Sequence, residues 1–248
     1  MADCSTIVAG MRDLFIADAH LRDPQDENYR NLLSFLTGQK GEIRTLYLLG
    51  DIFQFWLGPR FADFAPYQPL LVLLKELQAA GTGIVYIEGN HDFYLTPYFG
   101  DVMGCQILPD GGEVNLGDCT VHVAHGDLTD PEDTGYRKLR LLLRSGFIRW
   151  LSRVLTANQI WSISEWGSNK SAEQRVGKEA RSAPREKLLN YARPYFESGC
   201  SAVITGHFHH PLFEQTENGT LIALGDWITQ YSYAVYEDNK FRLETYQP

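Results

Sequence analysis

The sequence predicts an α/β fold in which two sheets pack face to face between outer helices, interrupted by one helical insertion. Two observations lead to this prediction. In the N-terminal part of the chain, short apolar strands alternate with amphipathic helices, which is typical of an α/β core. In the C-terminal part, short strands follow one another with turn residues between them, so we expect this part to be antiparallel. We expect a single domain over residues 1–248, with the insertion at about 134–193.

The N-terminal elements begin and end at recognisable residues. Three apolar runs have the length of strands: Arg12–Ala17, Thr45–Leu49 and Gly83–Ile87. Two segments between them, Asp26–Thr37 and Tyr67–Ala80, carry leucines at helical spacing, and they end at Gly38 and Gly81. Strand and helix therefore alternate through this part of the chain.

The C-terminal elements are shorter, and a helical segment separates them into two groups. The predicted strands are Gln106–Leu108, Gly112–Asn115, Thr120–Ala124, Ser201–Thr205, Pro211–Gln215, Thr220–Ala223, Tyr231–Tyr236 and Lys240–Tyr246. Residues 136–193 have a helical pattern, and no Pro/Gly/Ser-rich linker separates them from the strands. We therefore expect this segment, called the lid below, to be inserted into the core rather than appended to it.

Composition excludes several classes of protein. At 44% hydrophobic residues the chain can build a core, and a net charge of −9 argues against non-specific nucleic-acid binding. The four cysteines are scattered without a Cys-x-x-Cys pair, which argues against a zinc ribbon or a redox pair. There is no signal-peptide pattern, and no apolar run approaches the roughly 20 residues of a membrane span. We expect a cytoplasmic protein with no nucleic-acid partner and no evident protein partner.

Clusters of polar residues follow the predicted strands. They are Asp18-Ala19-His20, Gly50-Asp51, Gly89-Asn90-His91-Asp92, His125-Gly126-Asp127 and Gly206-His207-Phe208-His209. Carboxylate, imidazole and amide oxygen are the ligands of divalent cations such as manganese, iron and zinc. Each cluster taken alone could be an ordinary turn. All of them together, each following an apolar run, predict one metal site.

This set of motifs resembles the calcineurin-like metallophosphoesterases, in which the same motifs occur in the same order. The resemblance covers residues 12 to about 230 and implies a four-layer αββα sandwich with two divalent cations. We expect manganese, with iron and zinc as alternatives. By the resemblance, one cation is bound by Asp18, His20, Asp51 and His209, and the other by Asp51, Asn90, His125 and His207. Asp51 would bridge the two cations.

The resemblance also implies which residues act on the phosphate. The implied catalytic residues are Asp51, Asn90, His91 and Asp92. His91 would lie beside the phosphate and be oriented by Asp92. Its role would be that of a general acid toward the leaving oxygen or of an electrostatic stabiliser of the transition state.

The lid is both basic and apolar. Residues 136–187 hold twelve Lys/Arg and four Asp/Glu, a net charge of +8 in a chain whose total is −9. Apolar residues such as Leu143, Phe147, Trp150 and Leu151 recur there at helical spacing. This pattern fits a lipid-binding or membrane-surface helix, and it also fits a hairpin that packs on itself or on the core. The lid begins just after His125, so it is placed to cover a substrate.

Several further stretches are similar to the UDP-2,3-diacylglucosamine hydrolases, a branch of the same superfamily. They are residues 14–21, residues 50–58, His125-Gly126-Asp127 with Asp133-Thr134-Gly135-Tyr136, residues 206–211 and Leu224-Gly225-Asp226-Trp227. The similarity implies hydrolysis of the UDP-2,3-diacylglucosamine pyrophosphate to UMP and 2,3-diacylglucosamine 1-phosphate. Asp133, Tyr136, Asn169 and Lys170 would bind this anionic nucleotide-lipid. Through the lid, the protein would contact the inner face of the cytoplasmic membrane.

One position departs from this branch and keeps alternatives open. The best-known members have arginine after the asparagine, where this chain has His91. A histidine also permits expulsion of a poor alkoxide leaving group. An alternative is therefore a phosphoesterase for another phosphomonoester or phosphodiester, such as a phosphoprotein, nucleotide or phospholipid. A nuclease fits less well because the basic surface is confined to the lid. A non-catalytic scaffold of this fold usually lacks metal ligands, whereas none is missing here.

Overall fold

A computed structural model describes residues 11–163 and 185–248. β-Strands form the centre of the protein. The strands are β1 (Arg12–Ile16), β2 (Ile43–Leu48), β3 (Trp56–Leu57), β4 (Gly83–Ile87), β5 (Asp92–Phe93), β6 (Gln106–Leu108), β7 (Gly112–Leu116), β8 (Cys119–Ala124), β9 (Ala202–Thr205), β10 (Leu212–Gln215), β11 (Thr220–Ala223), β12 (Ser232–Glu237) and β13 (Lys240–Thr245). The sequence predicted all of them to within two residues, except β3 and β5. These two strands have only two residues each, too few for a periodic pattern.

The helices lie between and outside the strands. They are α1 (Glu27–Gly38), α2 (Gln68–Ala79), α3 (Thr134–Leu143), α4 (Gly146–Val154) and α5 (Arg185–Glu197). Residues 157–163 are also helical. Short 3₁₀ turns at Pro59–Asp63 and Ala65–Tyr67 lead into α2, and a π-helical turn covers Thr96–Gly100. No described helix has both the length and the apolar character needed to cross a membrane.

Two large sheets organise the strands. The first has the order β13-β12-β1-β2-β4-β6, in which β1, β2, β4 and β6 are parallel. The second has the order β10-β11-β9-β8-β7. Its three central strands, β11, β9 and β8, are parallel, and only the edge strands β10 and β7 run antiparallel to their neighbours. The expectation of an antiparallel C-terminal part is therefore wrong for the centre of this sheet.

The physical reason for this error is the long connection between β8 and β9. A parallel pair needs a crossover, and the residues from 125 to 201 provide it, but their helical pattern gave no sign of strand direction. The second parallel pair, β9 and β11, is joined through the edge strand β10. β12 and β13 do form an antiparallel hairpin, and β12 adds it to the first sheet beside β1.

Side chains alternate between two sides of the first sheet and so create separate cores. On β1, Leu14 and Ile16 pack with α1 and α2, whereas Phe15 and Ala17 pack against the second sheet. On the outer face of the second sheet, Val203 and Leu221 pack against α5. The order of layers is therefore helix, sheet, sheet, helix. This confirms the predicted αββα sandwich.

The first two helices of the lid, α3 and α4, differ from the rest of the fold in their burial. No residue of α3 is buried, and α4 buries only Ser152. Leu143 and Ile148 pack partly against the core, but other apolar side chains are open to solvent, with Leu141 74% exposed, Phe147 65% and Trp150 56%. A hairpin that hides its apolar face on itself or on the core would not leave these side chains exposed. α3 and α4 thus present an apolar surface to solvent.

Candidate metal centre

Every predicted metal ligand lies in a loop directly after a buried strand. Asp18 and His20 follow β1, Asp51 follows β2, and Asn90 follows β4 of the first sheet. His125 follows β8, and the histidines of Gly206-His207-Phe208-His209 follow β9 of the second sheet. Because parallel strands end at one edge of a sheet, ligands arrive from both sheets at the same place.

Backbone hydrogen bonds hold these loops together. The amide of Asp18 donates to Gly50 O at 3.1 Å, and that of His20 donates to Asp51 O at 2.9 Å. Between the sheets, the His207 amide donates to Asp18 Oδ2 at 2.7 Å. The loops are therefore positioned before any ligand binds.

One group of predicted ligands gathers around Asp18. Its Oδ1 atom lies 4.0 Å from His20 Nε2 and 3.5 Å from His209 Nε2. The bridging candidate Asp51 reaches the same group, with Oδ2 3.7 Å from His20 Nε2. These are the four residues expected to bind the first cation.

A second group gathers around Asn90. Its Oδ1 atom lies 3.0 Å from His125 Nε2 and 2.9 Å from His207 Nδ1. Asp51 Oδ2 is 3.6 Å from His125 Nε2, so Asp51 belongs to both groups. The structure thus brings all seven predicted ligands together, and their division between two cations remains a prediction.

The backbone at these positions is strained. Asp18, His20, Asp51, His207 and His209 all have φ between 45° and 74°, in the left-handed region that non-glycine residues rarely adopt. Such strain occurs where the surrounding structure fixes a side chain for a function.

Close packing makes glycine necessary at positions 89 and 50. A Cβ atom at Gly89 would lie 2.1 Å from Asp51 Oδ1 and 2.6 Å from Asp51 N. A Cβ at Gly50 would lie 2.6 Å from His125 Nδ1. The two glycines let the β2 and β4 loops approach each other and His125 closely.

Asp92 is fully buried and binds the backbone of the metal centre rather than a substrate. Its Oδ1 accepts from the amides of Asp51 at 2.8 Å and Gly89 at 3.0 Å. Its Oδ2 accepts from the Ile52 amide at 2.8 Å and from the Tyr86 hydroxyl at 2.6 Å. The expectation that Asp92 orients His91 is not met, because these four donors already occupy the carboxylate. The His91 ring is held by the Gln54 carbonyl, 2.9 Å from Nδ1.

Charge is concentrated in this small volume. Burial raises the pKa of Asp18 to about 7 and that of Asp92 to about 7, and the nearby Asp51 carboxylate adds to both shifts. Burial would also raise the pKa of Asp51, but the His125 and His20 imidazoles beside it lower it. Burial lowers the pKa of His20 to about 4. The cluster therefore favours a cation that can replace protons on these groups.

The residues fit divalent cations. Asp18 Oδ1 is buried and has no hydrogen-bond partner within the described residues, so a buried acceptor is left unsatisfied. The ligand atoms of Asp18, His20 and His209 all lie within 4.8 Å of one another, as do those of Asp18, Asp51 and His125. Oxygen and imidazole donors at such spacing match manganese, iron or zinc.

Two carboxylates near the cluster were given no role by the sequence. Asp226 lies 3.6 Å from His209 Nδ1 and accepts from the amides of residues 228–230 through its other oxygen, which fixes both the carboxylate and the imidazole. Asp127 accepts from the Tyr136 hydroxyl and from Arg140 Nε at 3.1 Å. Both lie in sequence motifs named above, but their partners are distant in sequence.

The predicted substrate-binding residues have structural contacts of their own. Asp133 caps α3, since its Oδ1 accepts from the Tyr136 amide at 2.9 Å. Tyr136 joins α3 to Asp127 through its hydroxyl. Asn169 and Lys170 lie outside the described residues. Contact of these four residues with a substrate remains a prediction.

Comparison with known proteins places this cluster in a family. The family model for calcineurin-like phosphoesterases matches residues 11–211, which include every predicted ligand. The chain belongs to the calcineurin-like phosphoesterases. It is accordingly a metal-dependent hydrolase, and the family implies divalent metal ions at the cluster described above.

Relatives of this phosphoesterase extend over the lid as well as the core. A UDP-2,3-diacylglucosamine hydrolase of Aeromonas salmonicida (strain A449) is 32% identical, and the match covers 94% of this chain and 93% of that protein. Another from Shewanella sp. (strain ANA-3) is 30% identical over 95% of this chain and 98% of its own length. Among solved structures, an archaeal phosphodiesterase shares the fold, with 16% identity, a TM-score of 0.50 and coverage of 94% and 99% of the two chains.

Proposed function

We propose that this phosphoesterase hydrolyses the pyrophosphate of UDP-2,3-diacylglucosamine to UMP and 2,3-diacylglucosamine 1-phosphate. The observation that carries the proposal is the exposed apolar face of α3 and α4, on a segment that begins just after the His125 loop. An exposed apolar face on this segment fits a substrate with acyl chains, because large exposed apolar patches usually bind a ligand, a partner or a membrane. The relatives carrying this name match the chain over nearly its full length.

The chemistry rests on two sets of ligands that share Asp51. Asp18, His20, Asp51 and His209 would hold one divalent cation, and Asp51, Asn90, His125 and His207 the other. When bound, two such cations neutralise phosphoryl oxygens and lower the pKa of a water molecule for in-line attack. Manganese is the proposed metal, with iron or zinc as alternatives, because oxygen and imidazole donors without thiolate fit all three.

His91 would act on the leaving group. Its Nδ1 lies 2.9 Å from the Gln54 carbonyl, which can only accept, so Nδ1 carries a hydrogen. That leaves Nε2 as the atom that holds or gives up a proton. The His91 ring packs edge-on against His20, with centroids 4.8 Å apart, which fixes the ring beside the predicted ligands.

The lid supplies the part of the site that would recognise acyl chains. Phe147 and Trp150 are exposed neighbours on α4, with ring centroids 6.1 Å apart. Burial of such side chains against acyl chains gives about 25 cal/mol for each Å² removed from water. The same face would bring a cytoplasmic enzyme into peripheral contact with the membrane that holds its substrate.

A second candidate is hydrolysis of another phosphomonoester or phosphodiester, and His91 favours it. A pyrophosphate expels a phosphate, which needs little protonation, whereas an alkoxide leaving group needs an acid at the position of His91 Nε2. The two candidates differ in the product released and in their dependence on acyl chains.

Product analysis with matched substrates tests the proposal. The enzyme, with Mn²⁺ added, would be incubated with UDP-2,3-diacylglucosamine and, separately, with its deacylated form. We expect UMP from the acylated substrate and little from the deacylated one. Equal rates with both, or no UMP from either alongside rapid turnover of an aryl phosphate, would favour the second candidate.

A further inference from the structure

A basic cleft lies next to the loop that carries Asn90, and none of the predicted metal ligands lines it. It has a volume of about 450 Å³ and lies between α4, the end of α3 and the residues that connect β4 to β6. Three arginines, Arg144, Arg149 and Arg153, line it together with Glu88 and Asp101. The charged lining therefore carries a net charge of +1, which suits a monoanion.

The arginines of the cleft are not equivalent. Arg144 is neutralised, because its Nη2 lies 3.0 Å from Glu88 Oε2 and its Nη1 lies 3.1 Å from Asp110 Oδ1. Over residues 11–163 and 185–248, no carboxylate lies within ion-pair distance of Arg149 or Arg153. Asp101 also lines the cleft without pairing with either of them. Two guanidinium groups thus face the cleft with donors to spare.

Tyr94 lies between these two guanidinium groups. The Arg149 and Arg153 guanidinium carbons are 5.6 Å and 5.8 Å from the centre of its ring. Arg153 Nη2 donates to the Tyr94 hydroxyl at 2.5 Å. Because arginine can only donate, the hydroxyl accepts this bond and keeps its own hydrogen for a ligand.

The backbone at Tyr94 is held in a strained conformation that presents the ring to the cleft. Its φ is 60°, which is rare for an aromatic residue. Glu88, nearly buried, fixes the turn because its Oε1 accepts from the Leu95 amide at 3.0 Å. A strained residue held by a buried carboxylate indicates a position built for a contact.

We propose that this cleft binds a phosphodiester monoanion through Arg149, Arg153 and the Tyr94 hydroxyl. Guanidinium forks match the paired oxygens of a phosphate, and the single negative charge of a diester matches the charge of the lining. Leu143 adds an apolar wall, and the exposed Trp150 follows Arg149 on α4. The ligand is therefore a phosphodiester, either free in solution or as the head group of an anionic phospholipid. The site does not depend on the reaction at the metals.

Binding assays with two probes separate these sources. Calorimetry would measure glycerophosphoglycerol in solution, and co-sedimentation would use phosphatidylcholine vesicles with and without phosphatidylglycerol. The test variant is R149Q/R153Q, with Tyr94→Phe as a milder second variant. R30Q/R193Q, which removes two exposed arginines on α1 and α5, is the charge-matched control. Thermal unfolding would verify that each variant is folded.

We expect R149Q/R153Q to weaken binding about tenfold or more and Tyr94→Phe to weaken it less, because each removes charge-assisted or hydroxyl donors. The control should bind as the unaltered protein does. Saturable binding of the soluble diester with this pattern identifies a free ligand. The same pattern with phosphatidylglycerol vesicles alone identifies a membrane lipid. No binding of either probe, or equal losses in R149Q/R153Q and R30Q/R193Q, would overturn the proposal, and neither result would bear on UMP release.

Discussion

Arg144 and Glu88 form an ion pair between the first lid helix and the loop that carries Asn90, with Nη2 3.0 Å from Oε2. Glu88 is 6% exposed, so its charge is almost fully withdrawn from water. Arg140 makes the corresponding contact with Asp127, two residues after His125. Asp110 contacts both arginines, at 2.6 Å from Arg140 and 3.1 Å from Arg144. The lid is therefore fastened to two loops that carry ligands of the same predicted cation.

Removal of Arg144 should lower the stability of the fold. In R144M, Glu88 stays buried without a cation, and we expect a loss of about 3 kcal/mol in the free energy of unfolding. Urea denaturation followed by circular dichroism measures it. The double variant E88Q/R144M, which removes the buried charge as well, should recover most of the loss. Equal stability of R144M and the unaltered protein would show that Glu88 does not need this partner.

A methyl group at Gly89 should disable the metal centre. In Gly89→Ala the new Cβ would lie 2.1 Å from Asp51 Oδ1, so either Asp51 or the Asn90 loop must move. We expect Mn²⁺ affinity, measured by calorimetry, to fall by about 100-fold, because a displaced ligand no longer fits the site. Gly38→Ala is the matched control, since a Cβ there meets nothing within 4 Å. Unchanged affinity in Gly89→Ala would contradict the assignment of Asp51.

Asp226 should affect metal affinity through its contact with His209. In Asp226→Asn the side-chain oxygen can still accept from the amides of residues 228–230, but the carboxylate partner of His209 Nδ1 is lost. We expect a drop of about tenfold in Mn²⁺ affinity with little change in thermal stability. A large drop in stability without a change in affinity would assign Asp226 to the fold alone.

The apolar face of α4 should contribute to the binding of lipid substrates only. Phe147 and Trp150 are both more than half exposed, so F147S/W150S leaves no cavity in the core. We expect the KM for the acylated substrate to rise about tenfold, with the turnover of an aryl phosphate unchanged. Val102→Ser, at a 68% exposed position outside the lid segment, is the control. Loss of both activities in F147S/W150S would mean that these side chains maintain the fold.

Buried His122 should make the protein less stable in mild acid. Its ring stacks on Tyr195, with centroids 3.5 Å apart, and burial lowers its pKa from 6.5 to about 4. Between these pH values the unfolded chain binds a proton that the folded chain does not, so stability falls as pH falls. The contribution is on the order of 3 kcal/mol by pH 4. His122→Phe, compared with the unaltered protein by urea denaturation without metal, should reduce this loss; parallel pH profiles would contradict it.

The sequence allowed the strands, the layers and the predicted ligands to be found, because each ligand lies next to its own strand. Contacts between distant loops could not be found in this way. Asp92 was expected to serve its neighbour His91, yet it holds the amide of Asp51, 41 residues away. The role of Asp226 and the direction of β9 likewise depend on packing between the sheets. The exposure of Phe147 and Trp150 could not be read from their spacing, which fits a buried helix face equally well.

The metal content of purified protein tests the central claim most directly. Protein loaded with Mn²⁺ and freed of excess metal would be measured by elemental analysis together with its Asp51→Asn and His209→Ala variants. We expect two metal ions for each unaltered chain, since Asp51 reaches both ligand groups. His209→Ala should retain one ion, and Asp51→Asn should lose most of both. A single ion in the unaltered protein, or two ions in Asp51→Asn, would contradict a bridged pair of cations.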